Sequence, residues 1–529
     1  MRWYALSDTH QITRAAGVVA GATLFSRILG FARDVVVAWF FGAGLAADAF
    51  FVAFRIPNLL RRLFAEGSLT ISFIPVFSEY LYKHGRHEAF KLARSTWWIL
   101  TIVLAVVTVS GVILAPLIVR LIAPGFHSIP DKFELTVLLT RIMFPYIFFI
   151  ALVALAMGVL NSLGSFGPPA FAPVLLNVAM IASVLFLAPR LTQPALGLAI
   201  GVIIGGVLQL ALQMVSMFKK GFRLFVRGPL YHTAVKRIAA LMTPAVFGAA
   251  VYQLNVFVGT LLASLLPEGS VSYLYYADRL VQFPLGVFAI VLATAVLPTL
   301  SRQAAREDTR GLRESFSYAL RMVFFITIPA MAGLIVLREP IVKVLFERGA
   351  FGAATTRLTA QALLYYAMGL WAFSGVRVVV STFYALQDTK TPVRIAVISL
   401  LANIAMSVVL MGPMRHAGLA LATSLASGLN LGLLVIALRK RLGRIRGRDI
   451  LRSVVRSSAS ALFMGAVVAC GVAWVIPMCG QNVWRLSALV LGGIVLGALL
   501  YAIGCRLLGC RELEAVREMV KTGLRKRKA

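Results

Sequence analysis

The chain has 529 residues, of which 60% are hydrophobic and only 14% are charged, and its mean hydropathy is +0.88. This composition excludes a soluble multidomain protein and indicates a polytopic membrane protein. The formal net charge of +32 would point to nucleic acid in a soluble protein, but the basic residues here collect between apolar runs. They are therefore interpreted as setting loop orientation, and we expect no nucleic-acid partner.

Apolar runs separated by charged or Gly/Pro segments predict about fourteen transmembrane helices, so we expect an all-α fold. These helices begin near residues 15, 46, 93, 133, 168, 194, 237, 269, 313, 357, 391, 416, 450 and 484. The linkers on one side are rich in Lys and Arg, whereas most of the opposite loops carry little charge. By the positive-inside rule, both termini are predicted to be cytoplasmic.

The two halves of the chain echo each other in sequence. Ile74–Ser78 resembles Leu297–Ser301, and Gly197–Ala199 resembles Gly418–Ala420, in the same order in each half. A repeat of six helices predicts two lobes related by a pseudo-two-fold axis along the membrane normal, with the substrate path between them. The predicted division is an N-lobe at 1–225, a C-lobe at 226–445, and two added helices with a basic tail at 446–529.

The first apolar run, Ala15–Phe41, would form a helix about 40 Å long, enough to cross a tilted bilayer. Arg27 lies near its middle, where an arginine costs about 3 kcal/mol to insert. Such a cost indicates a functional use. Arg33 is followed directly by Asp34, so a local ion pair is an alternative explanation for that arginine.

The second run carries several charges. Helical spacing places Asp48, Arg55 and Arg62 on one face, whereas Arg61 falls well away from Asp48. Pro57 disturbs this helix, so geometry alone leaves open whether Arg61 or Arg62 faces the cavity. An alternative is that both arginines extend to the cytoplasmic interface.

The second half supplies a further candidate, Arg279, next to Asp278. Arginine suits phosphate or pyrophosphate because its planar fork forms bidentate, charge-assisted hydrogen bonds and stays protonated. Acidic residues within the predicted spans are few, namely Asp34, Asp48, Glu66 and Asp278. The predicted cavity is therefore electropositive, which favours an anionic substrate over organic cations.

Signatures of enzymes are missing from the sequence. The six histidines stand mainly at loops and termini, and no Walker-type phosphate loop occurs. The four cysteines (Cys470, Cys479, Cys505 and Cys510) have no metal-ligand company. We therefore expect no enzyme activity, no cofactor, no metal site and no structural disulfide.

At its charged motifs, the chain resembles the MurJ/MviN family of lipid II flippases, within the multidrug/oligosaccharidyl-lipid/polysaccharide exporter superfamily. The resemblance covers nearly the whole chain and is most specific at Phe25–Asp34, Asp48–Gly67 and Tyr275–Arg279. It implies fourteen helices in a bacterial inner membrane and a central cationic cavity for the diphosphate and sugar head group. The substrate would be lipid II, an undecaprenyl-diphosphate-linked disaccharide peptide, with membrane lipids and cell-wall synthesis proteins as further partners.

The resemblance also implies the site residues. The substrate-binding set carried over is Arg27, Arg33, Asp48, Arg61 and Arg279; the supporting set is Asp34, Arg55, Arg62, Glu66 and Asp278. The choice of Arg61 over Arg62 comes from the resemblance alone. Some family members hold sodium with carboxylates in the seventh and eleventh helices, but 238–262 and 393–411 contain no Asp or Glu here. The sequence leaves the energy source open.

The predicted function is the transfer of lipid II from the cytoplasmic to the periplasmic leaflet by alternating access. One alternative is a flippase for another polyprenyl-diphosphate oligosaccharide, which would need the same cationic cavity. Another is a membrane scaffold of the cell-wall machinery that transports nothing and uses its charges as interhelical ion pairs.

Overall fold

In the computed structural model, residues 2–63, 69–226, 232–479 and 482–518 are described. They are helical apart from short connections, and none of them forms a β-strand. The predicted all-α class is confirmed. The chain divides into two compact units, Met1–Val271 and Ser272–Ala529.

The helices of the first unit range in length from 8 to 40 residues. They are α1 (Arg2–Phe41), α2 (Leu45–Leu63), α3 (Leu69–Lys83), α4 (Gly85–Ile113), α5 (Ala115–Ile122), α6 (Pro130–Met143), α7 (Tyr146–Ser162), α8 (Gly167–Ala182), α9 (Ala195–Lys219) and α10 (Thr233–Ser264). A 3-10 turn, Pro124–Ser128, joins α5 to α6. A π turn, Ser183–Leu187, and a 3-10 turn, Ala188–Arg190, extend α8.

The second unit repeats this all-helical pattern. Its helices are α11 (Ser270–Pro284), which begins just before the boundary, then α12 (Ile290–Ala305), α13 (Thr309–Val336), α14 (Arg338–Phe346), α15 (Ala353–Met368), α16 (Leu370–Ala385), α17 (Lys390–Met414), α18 (His416–Leu442), α19 (Gly447–Cys479) and α20 (Val483–Leu507). A π turn, Leu285–Ala289, joins α11 to α12.

Within the described ranges, ten helices are long and apolar enough to cross a membrane. The pair α15 and α16, bent by 42°, makes an eleventh if it counts as one span. The polytopic membrane class is therefore confirmed. Helices α1 and α2 are not among the ten, and they carry most of the charges on which the site prediction rests. The number of fourteen spans stays a prediction.

Small residues let the helices of the first unit approach closely. Gly197, Gly201 and Gly205 recur at every fourth position of α9 and face α8 with its extension. A Cβ atom at Gly197 would lie 2.8 Å from Ala188 Cα, and one at Gly205 would lie 2.6 Å from Leu176 Cδ1. Only glycine fits these positions without displacement. Close backbone packing of this kind is the usual way to join helices in lipid, where no hydrophobic force drives their association.

In the second unit, the last two helices pack against α13. The Tyr501 hydroxyl on α20 donates to the Phe325 carbonyl at 2.7 Å. Beyond α20, the buried Glu512 carboxylate pairs with Arg321 at 2.8 Å.

In the first unit, α10 contacts α2, α3, α4 and α5. The three-part domain division drawn from the sequence repeat stays a prediction.

Candidate functional site

Arg27 and Arg33 lie on α1 in opposite environments. Arg27 is exposed and has no hydrogen-bond or ion-pair partner among the described residues. Arg33 is only 8% exposed, and its Nη2 lies 2.7 Å from the Oδ1 of Asp34, which is 3% exposed. The charge of Arg33 is therefore balanced locally, whereas the guanidinium of Arg27 remains available to a ligand.

The Arg33–Asp34 pair also joins α1 to α8 through Asn177. Arg33 Nη1 donates to Asn177 Oδ1 at 3.1 Å, and Asn177 Nδ2 donates to the carbonyl of Ser26 at 3.1 Å. Gly30 lies next to Asn177, since a Cβ built there would be in ordinary contact with Nδ2 at 3.5 Å. The amide thus satisfies a side chain and a backbone group on the same helix. This network holds the arginine-bearing part of α1 against α8.

Asp48 forms a second buried ion pair, near the start of α2. Its Oδ2 lies 2.7 Å from Lys132 Nζ on α6, and the two residues are 1% and 2% exposed. The same oxygen accepts a hydrogen bond from the Gly269 amide at 2.8 Å. The Lys132 ammonium also lies 4.2 Å from the centre of the Phe126 ring, a cation–π contact. Asp48 therefore joins α2 to α6 and to the loop that follows α10.

Two further contacts strengthen this end of the first unit. Glu268 accepts a hydrogen bond from the Leu45 amide at 2.7 Å, so its carboxylate caps the first turn of α2. The Gly125 amide donates to Ser264 Oγ at 3.3 Å. A Cβ at Gly125 would lie 2.1 Å from the Ser264 carbonyl oxygen, so these backbones touch. The turns after α1, α5 and α10 therefore form one packed layer.

The charges further along α2 are more accessible. Arg55 and Arg61 are partly buried, and Arg61 Nε donates to Asn58 Oδ1 at 3.1 Å. This bond, one turn back along the helix, orients the Arg61 guanidinium. The backbone of Arg62 continues α2, but nothing is described for its side chain, and Glu66 lies outside the described residues. The choice between Arg61 and Arg62 stays a prediction.

Arg279 lies on α11 in the second unit. Its guanidinium carbon lies 4.9 Å from the centre of the Tyr275 ring, and its Nη2 donates to the Tyr275 hydroxyl at 2.9 Å. The neighbouring Asp278 accepts a hydrogen bond from Gln282. Tyr275 therefore orients the Arg279 guanidinium through one hydrogen bond and one ring contact.

Sequence reasoning missed Lys132 and Asn177. Lys132 lies 84 positions from Asp48, and Asn177 lies 144 positions from Arg33. One signal was present, because a carboxylate within an apolar run needs a partner at a similar depth. That rule gives no partner's identity, and Asn177 stands in an otherwise apolar helix. In the described chain, no group of three His, Cys, Asp or Glu residues is placed to hold a metal ion.

Comparisons with known proteins show which family the chain matches. The family model described as lipid II flippase MurJ matches residues 37–493. A probable lipid II flippase MurJ from Vibrio cholerae is 38% identical over 529 residues, covering 97% of this chain and 100% of the relative. A lipid II flippase MurJ from Burkholderia cenocepacia is 42% identical over 432 residues, covering 81% of this chain and 84% of the relative.

Solved structures with a similar fold include a protein of the same family. A lipid II flippase MurJ in an inward closed conformation superposes with a TM-score of 0.76 at 28% identity, covering 93% of this chain and 99% of the other. An inward-facing multidrug resistance transporter of the MATE family, in the MOP superfamily, has a TM-score of 0.68 at 15% identity. That match covers 82% of this chain and 99% of the transporter, and it shows a shared fold.

Proposed function

This chain belongs to the lipid II flippase MurJ family, and we propose from that membership that it moves lipid II across a bacterial inner membrane for peptidoglycan synthesis. The ten or more apolar helices support a multi-pass membrane location. The basic linkers support a cytoplasmic position for both termini. The protein acts as a transporter with no chemical step of its own, and cell-wall synthesis proteins that make or consume lipid II are its expected neighbours.

The observation that carries the proposed mechanism is the state of Arg27. Its guanidinium is exposed on α1 without an acidic partner in the described chain, although an arginine at mid-membrane costs about 3 kcal/mol. A diphosphate would offset this cost, because each phosphate can accept paired hydrogen bonds from the guanidinium. Arg61 and Arg279, each held by a neighbouring polar side chain, are the further proposed ligands in a cationic central cavity.

Asp48 has a different proposed role. Its carboxylate is buried against Lys132 and would repel a diphosphate if it faced one. We therefore assign it to positioning α2, so that the arginines of that helix meet the substrate correctly. Arg33 is proposed to combine both roles, since it is paired with Asp34 yet belongs to the same helix as Arg27.

Transport is proposed to follow alternating access. The arginines bind the diphosphate from the cytoplasmic side, a movement of the lobes exposes it to the periplasm, and the lipid tail stays in the membrane. A substrate site between two repeated lobes, opened to each side in turn, is the general design of repeat-built transporters. The TM-score of 0.76 to a flippase in an inward closed conformation supports a fold capable of such movement.

The test is transport of labelled lipid II in proteoliposomes. Arg27→Ala should lower the initial rate at least about tenfold, since one charge-assisted hydrogen bond contributes about 1.5–3 kcal/mol. Arg306→Ala is the matched control, because Arg306 is an exposed arginine just beyond α12. A double variant, Arg27→Ala with Arg279→Ala, that transports at the wild-type rate would refute the arginine mechanism.

Two alternatives make different predictions. A flippase for another polyprenyl-diphosphate oligosaccharide would bind that lipid in preference to lipid II in a competition assay. A scaffold would use Arg33 and Asp34 as a structural pair, in accord with their 2.7 Å contact. If the pair is only structural, either single change should abolish function and the exchange Arg33→Asp with Asp34→Arg should restore it. If Arg33 binds the diphosphate, the exchanged protein should stay inactive.

A further inference from the structure

An open cavity of about 570 Å³ lies at the surface of the first unit, and no described residue of α1 or α2 lines it. It is lined by Arg86, Leu163, Lys219, Lys220 and Gly221. These residues lie at the start of α4, just after α7 and at the end of α9. Since all three helices belong to apolar spans, the cavity lies where those spans end. We call it the basic cavity, because three of its five lining residues carry positive charge.

Arg86 is held in place by its surroundings. Its Nη2 donates to the carbonyl of Lys220, and its guanidinium carbon lies 5.3 Å from the centre of the Phe90 ring. The Phe90 ring in turn packs edge-on against Phe222 at 5.5 Å. A guanidinium has five N–H donors, so most of them remain for a ligand after this bond. Arg86 is thus a preorganised anion-binding group rather than a freely moving side chain.

No acidic residue in the described chain forms an ion pair with the three cations of the basic cavity. The acidic residues nearby in sequence are already engaged. Glu79 pairs with Lys83 at 3.0 Å and with Arg237 at 2.8 Å, and Glu88 pairs with Lys91 at 2.8 Å. Three cations around one cavity repel one another, and an anion bound between them relieves that repulsion.

The backbone leaves room for such an anion. Gly164 and Gly221, which follow α7 and α9, have φ angles of 72° and 83°, a region that favours glycine. A Cβ built at either position would meet no atom within 4 Å, so the space beside these turns is open. Both helices therefore end in tight turns whose glycines leave the opening of the basic cavity unfilled.

We propose that the basic cavity binds the phosphate of an anionic membrane phospholipid. Arg86 supplies a planar fork for phosphate oxygens, and Lys219 and Lys220 supply point charges. The ends of apolar spans lie at the depth of lipid headgroups, and basic pockets at that depth attract anionic lipids. This site is separate from the proposed diphosphate site, and its ligand is not transported. An inorganic phosphate ion shares the chemistry, so the test compares the two sources.

The experiment titrates the purified full chain in neutral detergent with phosphatidylglycerol, and native mass spectrometry reads the bound lipid. Parallel titrations use phosphatidylcholine and inorganic phosphate. The triple variant Arg86→Gln, Lys219→Gln, Lys220→Gln should bind phosphatidylglycerol at least about tenfold more weakly, since each basic group near a headgroup contributes roughly fivefold. Phosphatidylcholine should bind both proteins equally.

The matched control is Arg439→Gln, Lys440→Gln, Arg444→Gln, which removes three exposed cations at the end of α18. It should bind phosphatidylglycerol within about twofold of the wild type. Equal binding by the wild type and the triple variant of the basic cavity would overturn the proposal, and so would an equal loss in the control. Inorganic phosphate that displaces the lipid at millimolar concentration would support the site and assign it to free phosphate.

Folding is checked by the elution volume and by the thermal unfolding midpoint without lipid. The single variant Lys219→Gln, at an exposed position, serves if the triple variant unfolds. Lipid II transport is measured separately. If the triple variant loses phosphatidylglycerol binding but still transports lipid II, the lipid site is supported and the transport mechanism is unaffected. If Arg27→Ala loses transport but binds phosphatidylglycerol normally, the two sites are shown to be independent.

Discussion

The substitution Lys132→Met tests the buried pair that joins α2 to α6. Asp48 and Lys132 are 1% and 2% exposed and lie 2.7 Å apart, so solvent does not screen them. Methionine has a similar length but no charge, and it leaves the Asp48 carboxylate buried without its ammonium. Breaking a buried pair from one side costs about 3–5 kcal/mol. We expect the lower end of this range, because the Gly269 amide still donates to Asp48.

The assay is unfolding by sodium dodecyl sulfate in mixed micelles, followed by far-ultraviolet circular dichroism. The double variant Asp48→Asn with Lys132→Met removes both charges and should lie within about 1.5 kcal/mol of the wild type, since a buried pair is often replaceable by neutral groups. Lys343→Met is the control, because its pair with Glu347 is partly exposed and 3.7 Å long. That change should cost less than about 1 kcal/mol.

Two results would contradict this reasoning. Lys132→Met as stable as the wild type would show that Asp48 does not depend on the ammonium. A double variant as unstable as Lys132→Met would show that the damage comes from lost packing rather than from an unpaired charge. The double variant also separates the roles of Asp48, because normal lipid II transport by it would assign Asp48 to positioning, and lost transport in a stable protein would assign it to the substrate.

Three further predictions use the same unfolding assay. Asn177→Leu should cost about 1–3 kcal/mol, because the Ser26 carbonyl and an Arg33 N–H lose their partner; stability equal to the wild type would argue against the α1–α8 network. Gly197→Ala should destabilise by about 1–3 kcal/mol, since its Cβ would lie 2.8 Å from Ala188 Cα, whereas Gly432→Ala, with nothing within 4 Å, should be neutral or stabilising. Asp388→Ala should cost about 1 kcal/mol, because Asp388 caps α17 through the Thr391 amide at 3.0 Å. That hydrogen bond, more than Arg441, holds the pKa of Asp388 below its usual value. The stabilisation from Asp388 is therefore complete above the ordinary aspartate pKa and is lost as the pH falls through the lowered pKa. If Asp388→Ala leaves the loss of stability at acid pH unchanged, this reasoning is wrong.

The sequence by itself determined the class of this protein. Long apolar runs can satisfy their backbone only as helices in a membrane, so composition and spacing predict an all-helical membrane chain without tertiary information. The charged motifs Phe25–Asp34 and Asp48–Gly67 led to the family, because arginines at such depth are rare and expensive. The pair between Arg33 and Asp34 was also foreseen as an alternative, since adjacent residues need no fold to meet.

Only the tertiary structure decided how those charges are balanced. Helical periodicity says which residues share a face, but it does not say which helix lies opposite. The resemblance grouped Asp48 with the substrate-binding residues, but only the fold shows that Lys132, 84 positions away, lies against it at 2.7 Å. Only the fold likewise reveals the hydrogen bond between Asn177 and Arg33. It also brings together the residues that line the basic cavity, which come from three separate helix ends. Residues brought together by packing between distant segments leave no periodic signal in the sequence, because their contact depends on how whole helices are arranged.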